Sequence, residues 1–337
     1  MSTELPTLVM MSKDRPRALE QMALHYVEQG FEVVAVDGSA QASSTLSASA
    51  RLTYLHRPGV PYWIRLGEAM ERVRGRSCAL AADDDAMIRP AMHEAAALLA
   101  EPGNLVRVCG TVVHACQERR RMDYSFPDLK NECLLDVTSS PDPVTRFDTM
   151  LRVMPQVYYG VVRSDVAKAM ARALSMIPDD ALRLAEYLWI SLPALVGEQM
   201  LLPRLQVVRS VGRPNYAAFV AAFADGKRLS QWDRYPELEA RLRAFMTELG
   251  MDATAASAAL RVLEQHFGQV LTTRPIPLHR RALNWARYAK NPRVVFDARE
   301  REFFHLVPSQ KNARVGAYPW KCEVARREFE TAVQLLV

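Results

Sequence analysis

The sequence predicts an α/β protein: an α/β/α sandwich around a mostly parallel sheet, followed by a helical C-terminal region. Three observations carry this. Strand-like and helix-like segments alternate through the first 110 residues, the pattern of βαβ units. One apolar run, Cys78-Ala79-Leu80-Ala81-Ala82, ends in three consecutive aspartates, Asp83-Asp84-Asp85. A strand that stops in carboxylates sets an anionic cluster at the C-terminal edge of the sheet, where open α/β folds bind ligands. Beyond Gly212 the remaining signals are helical. At 337 residues the chain suits one large domain with a smaller addition. The expected division is 1–211 for the sheet and 212–337 for the helices.

The elements follow in order. Thr7 to Met11 reads as the first strand, and Pro16 is well placed in the first turn of a helix. Leu19, Met22, Ala23, Tyr26 and Val27 recur at helical spacing until Gly30 stops them. Phe31 to Val36 is the second strand, closed by Asp37-Gly38-Ser39, and the small polar residues 40–50 read as a mobile loop. Leu52 to Leu55 is a third strand. A helix from Tyr62 carries Leu66, Met70 and Val73 on one face. Cys78 to Ala82 is the fourth strand, Pro90 opens a helix to about Ala100, and Leu105 to Cys109 is a further strand. Between Ala115 and Pro143 the pattern breaks down. Order returns with a strand at Val157 to Val162, helices at Asp165 to Leu174 and Asp180 to Val196, and a strand at Leu205 to Arg209. Helices are then expected at Glu237 to Leu249, Ala255 to Phe267 and Val324 to Leu336.

Composition excludes several classes. The net charge of +5 permits an anionic ligand without demanding one. Five cysteines form no CxxC pair and no zinc-ligand spacing, which suits a reducing compartment and a cytoplasmic location. No stretch approaches 18 uninterrupted apolar residues, and Met1-Ser2-Thr3-Glu4 does not read as a signal segment. The turn after the first strand, Ser12-Lys13-Asp14-Arg15-Pro16, lacks the G-x-G-x-x-G of dinucleotide folds, and no P-loop is present. It also lacks the glycine-rich loop of sugar-nucleotide-forming nucleotidyltransferases. The three adjacent carboxylates suit Mg2+ or Mn2+, which take a few carboxylates plus a substrate's phosphates; the plainer alternative is a solvated turn.

The ordered series Leu8-Val9-Met10-Met11-Ser12-Lys13-Asp14-Arg15-Pro16, Gly30 to Ser39 with Asp37-Gly38-Ser39, Tyr54-Leu55-His56, Tyr62-Trp63-Ile64-Arg65-Leu66 and Ala82-Asp83-Asp84-Asp85 resembles the GT-A glycosyltransferases. More narrowly, it is similar to family-2-like bacterial members whose aspartate triplet follows such a series. The resemblance covers residues 5 to 110, and 150 to 210 more loosely. It implies a GT-A-like fold and a sugar-nucleotide donor, a UDP-sugar first among them. Ser12 and Arg15 would border the nucleotide, and Asp37 would accept a hydrogen bond from the base. Arg65, where the family usually has lysine, would face the phosphates. Asp83 and Asp85 would be the metal-binding pair, with Asp84 able to share either role. The chain departs from the pattern at Asp14, in place of asparagine, at Ala86, where an aromatic is common, and at Ser210, where an acid is common.

An inverting transferase also needs a carboxylate to take the acceptor hydroxyl's proton. Glu186 lies where the family tends to keep an acid, amid Leu182, Leu184, Ala185, Leu188 and Trp189, and apolar neighbours would raise its pKa toward general-base work. The plain alternative is that Glu186 lies on a wet helix face and that Asp179 or Asp180 only caps the helix. Between residues 274 and 293, Arg274, Arg280, Arg281, Arg287, Lys290 and Arg293 are interleaved with Leu283, Trp285 and Tyr288 and no acid. This stretch reads as a solvated basic face or as a peripheral contact with anionic lipid at the inner face of the membrane. No nucleic-acid motif accompanies it, and no nucleic-acid partner is expected. The acceptor is expected to be a glycan or a lipid-linked molecule, as in bacterial surface polysaccharide or glycoconjugate synthesis. Two other readings stay open: a nucleotidyltransferase on a similar sheet, and a non-catalytic nucleotide- or glycan-binding relative.

Overall fold

The computed structural model describes residues 4–47, 49–118, 121–125, 140–153, 157–210 and 229–270. The first half runs β1 (Thr7–Ser12), α1 (Pro16–Glu28), β2 (Val33–Asp37), β3 (Leu52–His56), α2 (Tyr62–Met70), β4 (Ser77–Ala82), β5 (Asp85–Met87) and α3 (Arg89–Ala100). It continues with β6 (Leu105–Glu118), β7 (Arg121–Ser125), α4 (Pro143–Val153), β8 (Val161–Arg163) and α5 (Ser164–Leu174). Then come α6 (Leu182–Ser191), α7 (Pro193–Val196), β9 (Glu198–Ser210), α8 (Tyr235–Glu248) and α9 (Ala253–Val270).

The nine strands of the described residues join one sheet in the order β3-β2-β1-β4-β8-β6-β9-β5, with β7 paired to β6. The pairs β1–β2, β1–β4, β2–β3 and β6–β9 are parallel, while β8 runs against both β4 and β6. Strands β1, β2, β3, β4, β6 and β9 therefore share one direction, and the sheet is mostly parallel as expected. The chain winds outward from β1 through β2 to β3, then returns to lay β4 on the other side of β1. Right-handed crossovers put α1 and α2 on opposite faces when the winding reverses. The result is the α/β/α arrangement around a mostly parallel sheet that the sequence predicts, with a switch point between the C-terminal ends of β1 and β4.

Burial explains the strand sequences. β1 and β2 are buried along their whole length, so they read as unbroken apolar runs rather than alternating ones. The amphipathic face of α1 buries Leu19, Met22, Ala23 and Tyr26. The helix stops before Gly30, whose φ of 92° lies in the left-handed region that glycine enters without strain. The core continues without a break from the sheet to Leu238, Leu242 and Phe245 of α8 and Leu263 and Phe267 of α9, which pack over α5 and α4.

Several details differ from expectation. The expected helix 180–196 divides into a 3-10 turn at Asp179–Ala181, then α6 and α7, with Pro193 opening the last. Strands β6 and β9 are 14 and 13 residues long, because each pairs along nearly its whole length with the other, through register shifts near Gly110. The segment expected to be irregular contains β7. The expected strand at Val157 to Val162 shortens to β8, since the chain turns at 158–159. Helix α4 begins at Pro143, the end of the stretch where the sequence pattern breaks down; Asp142 caps it, accepting the Thr145 amide at 2.9 Å. Within residues 40–47, the Ser43 and Thr45 hydroxyls donate to Glu20, and Leu46 is buried. The division at 211/212, residues 274–293 and the expected helix Val324 to Leu336 fall outside the described residues.

Candidate active site

Four strand ends build the site. β1 and β4 deliver Ser12 and the acidic turn to adjacent positions, because Met11 pairs with Ala82 in their parallel register. The Ser12 hydroxyl donates to Asp83 Oδ2 at 2.5 Å. One Arg15 guanidinium nitrogen bridges Asp83 at 2.9 Å and Asp84 at 2.8 Å. Burial lifts the Asp83 carboxyl above its ordinary value; the Ser12 hydroxyl and the Arg15 charge oppose that, and Asp84 adds to it. Burial lowers the Arg15 pKa, but the Asp84 hydrogen bond and the three aspartate charges more than offset it, leaving Arg15 above its ordinary value.

Asp85 faces other partners. It is the first residue of β5, opposite Arg209 of β9, whose Nε stands 3.9 Å from Asp85 Oδ2. The Tyr159 hydroxyl also bonds its carboxylate; burial first, then the Asp85 charge, raises the Tyr159 pKa well above 10. The backbone here is clamped by Tyr26, whose hydroxyl donates to Asp85 O and accepts from the Met87 amide, both at 2.9 Å. So the triplet divides into Asp83 and Asp84 toward Arg15, and Asp85 toward Tyr159 and Arg209. Asp84 is more engaged than the sequence suggested.

Asp37 ends β2 and is fully buried. It accepts from the Ser39 amide and the Tyr54 hydroxyl, each at 2.8 Å. Ser39 in turn accepts from the Asp14 amide at 2.8 Å. Asp14 has φ of 59°, a conformation that Asn and Asp tolerate better than most residues, so the replacement of asparagine there costs little. Arg65 does not reach outward. It is buried, donating to Ser12 O at 2.8 Å and Val60 O at 2.9 Å, and it lies so close to Gly38 that a Cβ there would stand 2.3 Å from its Nη1. Burial lowers its pKa, while Asp179, Tyr62, Asp37 and Asp14 oppose that. Arg65 thus ties the β1 end to the start of α2 beneath the Asp37 turn.

Glu186 sits on α6, partly buried. Burial first, and then its charge among other causes, raises the Tyr62 and Tyr158 hydroxyls above their ordinary value. Asp179 caps not its own helix but α2, accepting the Tyr62 amide at 2.7 Å. On β6, Arg107 anchors the end of α6: it is fully buried and donates to the carbonyls of Trp189 at 2.6 Å and Ile190 at 2.7 Å. Burial lowers it to about 10, so it stays charged at neutral pH and complements the helix C-terminus. Tyr54 beside Asp37, and Tyr159 and Arg209 beside Asp85, are site neighbours to which no sequence pattern assigns a role.

Carboxylate oxygens are the donors that a hard divalent cation takes, but here Asp83 engages Ser12 and Arg15 while Asp85 faces Tyr159 and Arg209. Asp83 and Asp85 offer carboxylate oxygens on one rigid turn. Among the described residues, no group of three or more His, Cys, Asp or Glu side chains forms a complete cage. No helix of the described residues is long and apolar enough to cross a membrane.

No protein-family model and no curated protein matches the sequence. Among solved structures, a crystal structure of S. aureus TarS covers 98% of this chain and 53% of its own, with 11% identity and a TM-score of 0.45. S. aureus TarS 1–349 in complex with UDP-GlcNAc covers 82% of this chain and 78% of its own, with 13% identity and a TM-score of 0.44. S. aureus TarS 1–349 covers 82% and 91%, with 11% identity and a TM-score of 0.38. The chain spans about half the length of the first of these. Likeness this low assigns no chemistry to the chain; its fold stands on its own sheet topology.

Proposed function

We propose that the chain is a metal-dependent, inverting glycosyltransferase that moves a sugar from a nucleotide-sugar donor, a UDP-sugar foremost, to a hydroxyl of a glycan or lipid-linked acceptor in bacterial surface polysaccharide or glycoconjugate synthesis. One observation carries the reading. At the switch point of a mostly parallel sheet, Ser12 at the end of β1, Arg15 in the turn after it and Asp83, Asp84 and Asp85 at the β4–β5 turn converge, with Asp37 on the next strand. That is where an open α/β sheet receives a nucleotide.

In this reading Asp83 and Asp85 hold Mn2+ or Mg2+. Bound there, the metal supplies Lewis-acid stabilisation to the diphosphate as the anomeric bond breaks. The protein's own residues do the rest. Arg15 turns from the aspartates to the phosphates as the donor's charge arrives. Asp37, ionised and with lone pairs left over from Ser39 and Tyr54, accepts a base N–H. Arg65 stiffens the loop under both rather than touching phosphate. Glu186 takes the proton of the attacking acceptor hydroxyl. Residues 274–293 would rest on an anionic membrane surface and bring the enzyme to a lipid-linked acceptor.

The test is a thermal-shift panel of UDP, GDP, CMP and dTDP, each with Mn2+ and with chelator. A metal-dependent rise in Tm with one nucleotide is expected, lost in Asp85→Asn while the variant stays folded. No shift with any nucleotide, or full metal-dependent activity in Asp85→Asn, overturns the reading.

A further inference from the structure

A chain of hydrogen bonds runs from α1 to Asp37 without touching the acidic turn. It starts at Glu20, a partly buried residue of α1. Glu20 Oε1 accepts from the Ser43 hydroxyl and, at 2.9 Å, from the Thr45 hydroxyl. The Ser43 hydroxyl oxygen in turn accepts the amides of Thr45 at 3.1 Å and Leu46 at 2.9 Å. The Leu46 side chain is buried in the core. The Ser43 amide donates to the Tyr54 hydroxyl of β3 at 2.8 Å. Tyr54 passes the chain on by donating to Asp37 Oδ2, also at 2.8 Å.

Proton counting gives this chain a direction. A phenol has one proton, and a backbone N–H can only donate. The Tyr54 oxygen accepts from Ser43, so its own proton is left for the Asp37 carboxylate. On the other side, Asp37 Oδ1 accepts the Ser39 amide at 2.8 Å, and His56 Nε2 donates to Ser39 O at 2.8 Å. Each Asp37 oxygen thus has a donor held by a different strand or turn. We propose that Glu20 is a positioning residue for Asp37: by holding Ser43 it aims the Tyr54 proton at the carboxylate and sets where a nucleobase N–H is received. This assignment rests on the reading of Asp37 as the base acceptor in the proposed donor site.

The consequence is a base-recognising edge that depends on a helix residue which touches no ligand. Without the Glu20 carboxylate, the Ser43 and Thr45 hydroxyls turn to water and nothing on α1 holds the Ser43 amide on Tyr54. The phenol oxygen then takes its hydrogen bond from water, and its proton is free to rotate away from Asp37. The carboxylate loses one of its two fixed donors, so its remaining lone pairs no longer keep one direction. The acidic turn and Arg15 lie outside the chain and keep their own bonds. A structural role for Glu20 would weaken every ligand alike, whereas a positioning role weakens only ligands that carry a base.

The experiment is calorimetric titration of the full-length protein with UDP and with inorganic pyrophosphate, each with Mn2+. Glu20→Ala should weaken UDP about tenfold, the scale of one hydrogen bond to a charged group, and leave pyrophosphate unchanged. Glu20→Gln keeps an acceptor oxygen for both hydroxyls and should restore UDP affinity. In Tyr54→Phe, where the chain is already cut, adding Glu20→Ala should weaken UDP no further. Unchanged UDP affinity in Glu20→Ala, equal losses for the two ligands, or additive losses in the double variant overturn the positioning role. Ser43→Ala removes the same tie if Glu20→Ala unfolds. Should the wild-type protein bind no UDP, the nucleotide reading falls, and amide hydrogen exchange of the ligand-free protein still decides the link. There the Ser43 and Ser39 amides should both exchange about tenfold faster in Glu20→Ala, the same loss read without ligand. Faster exchange at Ser43 alone, or at neither, means that the link does not reach Asp37 and overturns it.

Discussion

The Asp37 carboxylate shows at the residue scale how a strand end becomes a rigid binding edge. Burial alone would push it up, but the Ser39 hydroxyl and amide and the Tyr54 hydroxyl more than offset that and hold it below its ordinary value. Tyr54 is raised to about 12, first by burial and then by its bond to Asp37. A carboxylate whose folded pKa is depressed contributes stability at pH above its unfolded pKa, and loses it as pH falls through the folded pKa. Tyr54→Phe removes a hydrogen bond to a charged, buried group, so it should cost about 2 kcal/mol at neutral pH. Its acid-unfolding limb should begin at higher pH, because Asp37 moves back toward its unfolded value. Urea denaturation at pH 7 and at pH 4 tests this. A penalty of equal size at both values would mean that Tyr54 acts by packing alone. Asp37 and Asp83 were legible in the sequence because each ends an apolar run; Tyr54 was not, since its role exists only once β3 lies against β2 in register, Asp37 beside His56.

Among the elements, β5 has the most influence on the site and left the least trace in sequence. Three residues inside an acidic turn show no periodicity, and only the antiparallel pairing of Asp85 with Arg209 on distant β9 makes them a strand. The same pairing puts an arginine, rather than an acid at 210, across from the triplet. Tyr26 fixes this strand from behind by bonding both Asp85 O and the Met87 amide from the interior face of α1. The helical spacing of Tyr26 marked it as core, and its hydroxyl shows why a phenylalanine would not serve equally. Tyr26→Phe leaves one buried carbonyl and one buried amide without that partner, a cost of about 3 kcal/mol. It should also weaken Mn2+-dependent nucleotide binding, because the acidic turn loses its backbone clamp. Calorimetric titration of UDP with Mn2+ against the variant reads this directly. Unchanged affinity would mean that β5 is held by β9 alone. α4 was lost for a different reason: a proline at a helix start looks like a proline at a break until the capping aspartate before it is weighed.

For the whole molecule, the alternation of strands and helices was enough to give the layers and the sheet direction of the first half. Winding order was beyond the sequence, because pairing partners such as β6 and β9 lie about ninety residues apart and their long strands are broken up by Gly110 and Pro203. The C-terminal helices raise the remaining question of cooperativity. The sequence suggests a division at 211/212, yet α8 and α9 bury their apolar faces in the same continuous core as the sheet layer. Phe245, 2% exposed on α8, lies in that shared core. Phe245→Ala should cost about 3–5 kcal/mol, the usual loss for a buried phenylalanine. If the core is shared energetically as well as geometrically, the variant loses stability as a unit. Tryptophan emission from Trp63 and Trp189 beneath the site should then shift in the same transition as the helical signal at 222 nm. An intact site transition beneath an earlier helical one would make the C-terminal helices an independent unit docked on the sheet domain. The coincident outcome would make them a required outer layer of the same core that carries the sheet.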